Sequence, residues 1–195
     1  VMDIFCSDTK LNISPYYLKP GFAFGGSCLP KDVRALTSLA ADENVRVPLL
    51  DNLIGSNEAH IDRAFSLINS CQKQTIGFLG FAFKSGTDDM RESPVVELIK
   101  KCVAAGLSVT IFDQSVRVEK LIGVNKQVSL GGSVNLSELI VASPSNLIAN
   151  SDIIVVGNND QSFSSLLLGA SEEKTVIDLV RLPMQNNLKA KYIGL

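Results

Sequence analysis

Between Pro30 and about Ser70 the apolar residues fall at helical spacing. Val33, Leu36, Leu39 and Ala40 recur every three or four positions, and Pro30 suits a first helical turn, where its missing N–H has no partner to lose. A break from Asn44 to Pro48 ends this helix. Beyond it, Leu49, Leu50, Leu53, Ile54, Ile61, Ala64, Phe65 and Ile68 draw an apolar stripe on a second, longer helix. A stripe of this kind packs within its own chain or against a second subunit, and the pattern leaves both open. Val1 to Cys6 reads as the tail of an amphipathic helix entered in mid-course, without an initiator Met or the features of an export signal. A piece of a longer protein is the expectation.

From Thr75 the rhythm changes. Thr75 to Phe81 is a short apolar run, the pattern of a strand buried on both faces. Pro94 to Ala105 follows as a helix stopped by Gly106, then Val109 to Asp113 as a second strand, with another strand candidate near Val128 to Leu130. Ser137 to Ala149 reads as helical with a break at Pro144. Asp152 to Gly157 is a strand, Gln161 to Leu168 a helix, and Thr175 to Leu179 a closing strand. Strands alternating with short helices predict an α/β fold with a doubly wound parallel sheet, preceded by a helical segment. The division expected is 1–72 for the loop and helices and 73–195 for the sheet domain.

Composition narrows the function. The 195 residues are 46% apolar and 19% charged, with a net charge of -2, which supports a packed core and argues against disorder. With 18 basic against 20 acidic residues there is no excess to neutralise phosphates, so no nucleic-acid partner is expected. No apolar run reaches the roughly 20 residues that span a bilayer, so no membrane partner is expected either. Cys6, Cys28, Cys71 and Cys102 show neither a CxxC pair nor a regular spacing, which suggests no metal site and no disulfide framework. A cytoplasmic location is the default expectation.

Two loops carry the chemistry. Residues 9–31 form a long apolar loop rich in Pro, Gly and aromatics, ending in Gly25-Gly26-Ser27-Cys28-Leu29-Pro30-Lys31-Asp32. A cysteine just ahead of a Pro-initiated helix sits where the helix dipole and free N–H groups favour the thiolate, and Lys31 adds charge nearby. Asp32, four residues on, shares a helical face with Cys28 and could steer a water. The paired glycines would let a substrate approach the backbone, whose amides could hold an oxyanion. The alternative is a structural cysteine beside a helix cap. The second loop, Phe83-Lys84-Ser85-Gly86-Thr87-Asp88-Asp89-Met90-Arg91-Glu92-Ser93-Pro94, follows the first strand, where ligands of open α/β sheets bind. Lys84 and Arg91 could meet anionic groups there, or Asp88, Asp89, Arg91 and Glu92 could form a solvated ion-pair cluster capping the next helix. No GxGxxG and no P-loop is present. Asp113 ends a strand where a ribose-binding acid can lie, a role disfavoured without the glycine fingerprint; His60 reads as a surface or packing residue, and Asn158, Asn159 and Asp160 as helix-capping ones before ligand contacts.

Together, Pro20-Gly21-Phe22-Ala23-Phe24-Gly25-Gly26-Ser27-Cys28-Leu29-Pro30-Lys31-Asp32 and Gly80 to Pro94 resemble the UDP-glucose/GDP-mannose dehydrogenase family. The resemblance implies the end of a central helical dimerisation region followed by a Rossmann-like domain that holds a sugar nucleotide. It also implies that an N-terminal NAD-binding domain, and a catalytic Lys and Asn, lie outside this chain. The implied partners are NAD, GDP-mannose or a related nucleotide sugar, and a second subunit in a homodimer. Tyr16 and Tyr17 ahead of the Phe-Ala-Phe-Gly-Gly-Ser-Cys run favour GDP-mannose, with UDP-glucose as the alternative. By resemblance Cys28 is the nucleophile and Asp32 assists its water, Lys31 and Arg91 contact the cofactor, and Tyr16, Tyr17, Lys19, Phe22, Gly25 and Lys84 bind substrate. Lys19 departs from the Arg of members acting on GDP-mannose: the charge is kept and the bidentate fork lost. A binding and dimerisation module without catalysis of its own is the non-enzyme reading.

Overall fold

The computed structural model describes residues 2–10, 13–14, 21–82, 86–87, 89–116, 135–183 and 188–195. Its first part is helical: α1 (Met2–Phe5), α2 (Leu29–Asp42), α3 (Pro48–Asp51) and α4 (Leu53–Ser70). The second part runs β1 (Thr75–Leu79), α5 (Pro94–Ala104), β2 (Ser108–Phe112), α6 (Leu136–Leu139), α7 (Pro144–Asn150), β3 (Ile153–Val156), α8 (Ser162–Leu167), β4 (Thr175–Asp178) and β5 (Lys191–Gly194). The strands form one sheet in the order β2-β1-β3-β4-β5, every neighbouring pair parallel. This is the doubly wound α/β sheet that the pattern predicts.

The period of two sorts each strand's side chains to opposite faces. Ile76, Phe78, Val109, Ile111, Ile153, Val155 and Ile177 point to one face, where Ile61, Ala64 and Ile68 of α4 and Val96, Ile99 and Cys102 of α5 cover them. Leu79, Ile154, Val156 and Val176 point to the other, against Leu147 and Ile148 of α7 and Phe163 and Leu167 of α8. Both faces are thus closed, which is why these strands read as unbroken apolar runs.

Three details differ from the pattern. β4 does not close the sheet, because β5 lies outside it, with Lys191 paired to Thr175. Lys191-Tyr192-Ile193-Gly194 is a largely exposed edge and lacks the apolar run that announces a buried strand. The helix expected over 137–149 divides into α6 and α7 at a short extended stretch, where Ile140 bridges to Ile111 and Pro144 opens the new helix. The stripe beginning at Leu49 is interrupted at Asn52, so α3 and α4 are separate. The strand candidate near 128–130 lies outside the described residues.

Candidate functional site

Order along the sheet locates the crevice. β1 runs on to β2 on one side, and the later strands lie on the other, so the topological switch falls between β1 and β3. Beyond their carboxyl ends a small pocket of about 150 Å³ is lined by Phe22, Ala82, Ser93, Pro94, Gly157 and Val180, among others. Its floor is held by buried polar groups. Asp113, just past β2, accepts N–H bonds from Phe81 (3.0 Å) and Ala82 (3.1 Å) and from the Asn158 amide (3.1 Å), while its other oxygen accepts from Ser115 (2.9 Å). Ser93 donates its hydroxyl to the Phe81 carbonyl at 2.8 Å. Gly80 turns the chain at φ +81°, with the Asn158 side chain packed where a Cβ would stand. Asp113 is therefore a structural acid whose oxygens are spent on the fold, not a free ribose-binding one. Asn158 is a core residue and caps no helix, whereas Asp160 accepts from the N–H and hydroxyl of Ser162 at the start of α8.

The cysteine loop starts at this crevice. Phe22 is half-buried, its ring 5.3 Å from that of His60 on α4. Ala23 is buried. Phe24 then exchanges two hydrogen bonds with Asn57 of α4: its N–H donates to Oδ1 and its carbonyl accepts from Nδ2, both at 2.8 Å. Gly25 lies against the Glu92 carbonyl, where a Cβ would overlap that oxygen and come within 2.7 Å of Pro94 Cδ. The Gly26 N–H donates to the same carbonyl at 3.3 Å, with Gly26 at φ +86°. The first loop is thus fastened to α4 on one side and to the second loop on the other.

Cys28 is the N-cap of α2 and is exposed, with a free thiol 3.8 Å from the Ser27 hydroxyl. Its carbonyl accepts the Asp32 N–H at 2.9 Å, so the first turn is formed and Cys28 and Asp32 share a face, as the four-residue spacing predicts. Leu29 and Lys31 precede that first intrahelical bond, and Cys28 offers their N–H groups no side-chain cap. Lys31 and Asp32 are both exposed and 3.7 Å apart. An open pocket of about 240 Å³ is lined by Phe24, Gly25, Gly26, Ser27, Cys28, Leu29 and Asp89, so the two loops share one wall.

Arg91 meets Asp89 through two 2.9 Å bonds, from Nε and Nη2. These bonds hold the Asp89 carboxyl below the usual carboxylate range and raise the Arg91 pKa, to which the charge of a Cys28 thiolate adds a smaller contribution. Glu92 accepts from both terminal nitrogens of Arg34 on α2, from Nη1 at 3.0 Å and from Nη2. Asp89, Arg91 and Glu92 are thus ion-paired as two separate pairs, one of which ties α2 to the second loop; they do not cap α5, whose N-cap Ser93 makes no side-chain cap bond. Of the residues singled out in the sequence, Phe22, Gly25, Cys28 and Arg91 lie on this pair of loops, and Lys31 and Asp32 on the first turn of α2. Tyr16, Tyr17, Lys19, Lys84 and Asp88 lie outside the described residues. Sequence reasoning missed Asn57 and the Arg34–Glu92 pair. Asn57 left a signal: it occupies a stripe position between Ile54 and Ile61, where an apolar residue is due.

Residues 1–59 match the central domain, and 77–183 the UDP binding domain, of the UDP-glucose/GDP-mannose dehydrogenase family. A GDP-mannose 6-dehydrogenase of Pseudomonas putida is 49% identical over 180 residues, covering 92% of this chain and 41% of the relative. A UDP-glucose 6-dehydrogenase of Rickettsia bellii is 30% identical over 190 residues, covering 93% of this chain and 41% of that one. Among solved structures, a ternary complex of GDP-mannose dehydrogenase from Pseudomonas aeruginosa superposes with a TM-score of 0.80 at 43% identity, over 98% of this chain and 44% of that one. The chain thus spans about two fifths of the length of these relatives. Two domain matches in order and close relatives across nearly the whole chain leave one assignment: the chain belongs to the UDP-glucose/GDP-mannose dehydrogenase family.

Proposed function

We propose that this chain supplies the nucleophile and the sugar-nucleotide-binding domain of a GDP-mannose 6-dehydrogenase, an NAD-dependent enzyme that oxidises a sugar C6 alcohol to a carboxylate. The observation that carries the reading is Cys28. It is an exposed thiol at an uncapped helix N-terminus, beside two glycines and in the same pocket wall as Asp89. The 49% identity to a GDP-mannose 6-dehydrogenase, against 30% to a UDP-glucose 6-dehydrogenase, favours GDP-mannose.

Lys31 and Arg91 are exposed and are the cations that would meet the phosphates of NAD, each giving up an ion pair, with Asp32 and with Asp89, to do so. NAD, when bound, supplies the hydride acceptor for both oxidations. The residues of this chain do the rest. The first oxidation leaves an aldehyde at C6. The Cys28 thiolate adds to its carbonyl carbon, and the carbonyl oxygen takes a proton to give a thiohemiacetal, whose C–H can leave as hydride. The free N–H groups of Leu29 and Lys31 in the first turn of α2 stabilise the oxyanion while it exists. Loss of hydride and of the hydroxyl proton gives a thioester. Water then attacks it, with Asp32 orienting the water and accepting its proton, and the carboxylate and the Cys28 thiolate separate. Phe22 and Gly25, with Tyr16, Tyr17, Lys19 and Lys84, bind the sugar nucleotide across the crevice. Residues 1–72 carry the nucleophile loop and the dimer helix, and 73–195 the nucleotide domain.

The test is NAD reduction by the full-length protein offered GDP-mannose and UDP-glucose separately. Two NAD per GDP-mannose, little turnover of UDP-glucose, and loss of acid product by at least about a thousandfold in Cys28→Ser are the expected results. An active Cys28→Ser enzyme sinks the mechanism. Preference for UDP-glucose keeps Cys28 and Asp32 in place and makes Lys19 the first residue to revisit.

A further inference from the structure

We propose that Asn57 is a positioning residue for Cys28, acting through the main chain of Phe24. This rests on the reading of Cys28 as the nucleophile and adds a part that the nucleophile needs.

The buried side of α4 runs through Ile61, Ala64 and Ile68, and one turn before Ile61 the same stripe carries Asn57. A polar amide on an apolar stripe has to be paired, and both ends of this one are paired with the main chain of a single residue of another segment. Its Oδ1 accepts the Phe24 N–H and its Nδ2 donates to the Phe24 carbonyl, both at 2.8 Å. Two opposed bonds to one residue fix its rotation as well as its place, as a neighbouring strand would. Phe24 stands four residues ahead of Cys28, and what lies between has little freedom. Gly25 is seated on the Glu92 carbonyl, Gly26 bonds to it at 3.3 Å, and Pro30 is buried at the start of α2. The thiol is therefore suspended from three fixed points: α4 through Asn57, the second loop through Glu92, and the helix that follows. The Glu92 hold is made by main-chain atoms, so Asn57 is the hold that truncating a side chain can release.

This position matters for one half of the reaction. The first oxidation, alcohol to aldehyde, forms no bond to sulfur, whereas the second proceeds through the Cys28 adduct. A thiol moved by about an ångström loses on the order of a hundredfold in bond formation. Release of the loop should therefore leave the first oxidation standing and slow the second.

The experiment compares Asn57→Ala and Asn57→Asp with the unaltered full-length protein. For Asn57→Ala, acid formation falls ten- to a hundredfold, aldehyde becomes trappable with hydroxylamine, and NAD consumed per sugar drops from two toward one. Alkylation of Cys28 by iodoacetamide, resolved from Cys6 and Cys71 by peptide mass spectrometry, slows several-fold as the thiol leaves the helix N-terminus. Asn57→Asp keeps the size and the acceptor and loses the donor, so it gives an intermediate effect and also serves if Asn57→Ala fails to fold. Folded Asp and Ala variants with unchanged product ratio and Cys28 alkylation overturn the proposal, as does an equal loss of both oxidations. If Cys28→Ser itself still forms acid, the reading of the nucleophile has failed. If that variant is dead and the Asn57 variants are normal, only the positioning role has failed.

Discussion

The sheet domain and the helical segment before it solve opposite problems with similar side chains. In the sheet, Phe78, Ile153, Val155 and Ile177 are wholly enclosed, and two layers of helix leave neither face open. In the helical segment the same residue types stand in solvent: Leu36, Leu39 and Leu49 are 50%, 57% and 78% exposed. Among the described residues of this segment, the second half of α4, with Ile61, Ala64 and Ile68, and Ala23 of the loop are drawn into the sheet's core. Cys28 lies in the segment with the less complete packing, and its position is set by hydrogen bonds and a glycine contact rather than by burial. The comparison separates stability, carried by the sheet, from the placement of Cys28, carried by a few polar and main-chain contacts.

The largest effect on the stability side is expected from Phe78→Ala. The ring is fully buried on β1 beneath α4 and α5, and truncation leaves a cavity that the flanking parallel strands cannot close. A loss of about 3–5 kcal/mol in unfolding free energy by urea titration is expected. A loss below about 1 kcal/mol would mean that the sheet core is looser than its packing implies, and the contrast between the regions would break.

Gly25→Ala tests the seam between them. The added methyl would overlap the Glu92 carbonyl and crowd Pro94 Cδ, so one of the two loops must shift. Overpacking of this kind costs about 1–3 kcal/mol, and here the strain falls three residues before Cys28. Acid formation is expected to drop further than the urea midpoint alone would explain. A fall in stability with catalysis of the folded fraction intact would show that Cys28 is held independently of this contact.

The sheet was legible in the sequence because the strands buried on both faces, such as Ile153-Ile154-Val155-Val156, have to be continuous apolar runs and stop at glycine or polar residues. β5 was not, because an edge strand with Lys191 and Tyr192 in solvent has no such obligation. At the site, the spacing from Cys28 to Asp32 was readable since helix geometry is local. Asn57 is thirty-three residues from Phe24 in the chain, and no local rule connects them. The only trace was a polar residue on an apolar stripe, which announces a partner without naming it. Asp113 stayed undecided in the sequence for a related reason. A carboxylate at a strand end is placed equally well to bind a ribose or to hold the loop beside it, and only the bonds to Phe81, Ala82 and Asn158 decide between the two.

The smallest effect sharpens the contrast at the far edge of the sheet. Tyr192 on β5 donates its hydroxyl to the buried Asp178 at 2.8 Å, which also accepts from Val180 and Leu182. Burial first, and then this bond to a carboxylate, push the Tyr192 pKa up to about 12. An unfolded tyrosine ionises near pH 10, so between about pH 10 and 12 the unfolded chain holds fewer protons than the native one. Stability from this group is fully present below pH 10 and lost as the pH rises toward 12. Burial likewise pushes the Cys102 thiol up to about 12, so its contribution falls in the same direction from nearer pH 9. Tyr192→Phe should lower stability at neutral pH by about 0.5–1 kcal/mol, a partly exposed hydroxyl lying at the low end for such bonds. It should also flatten the decline above pH 10 while leaving the onset near pH 9, which belongs to Cys102. Urea midpoints from pH 7 to 11 measure both. A decline as steep in Tyr192→Phe as in the unaltered protein would show that β5 is not anchored through Asp178, and that the edge strand contributes less to the sheet than its register with β4 implies.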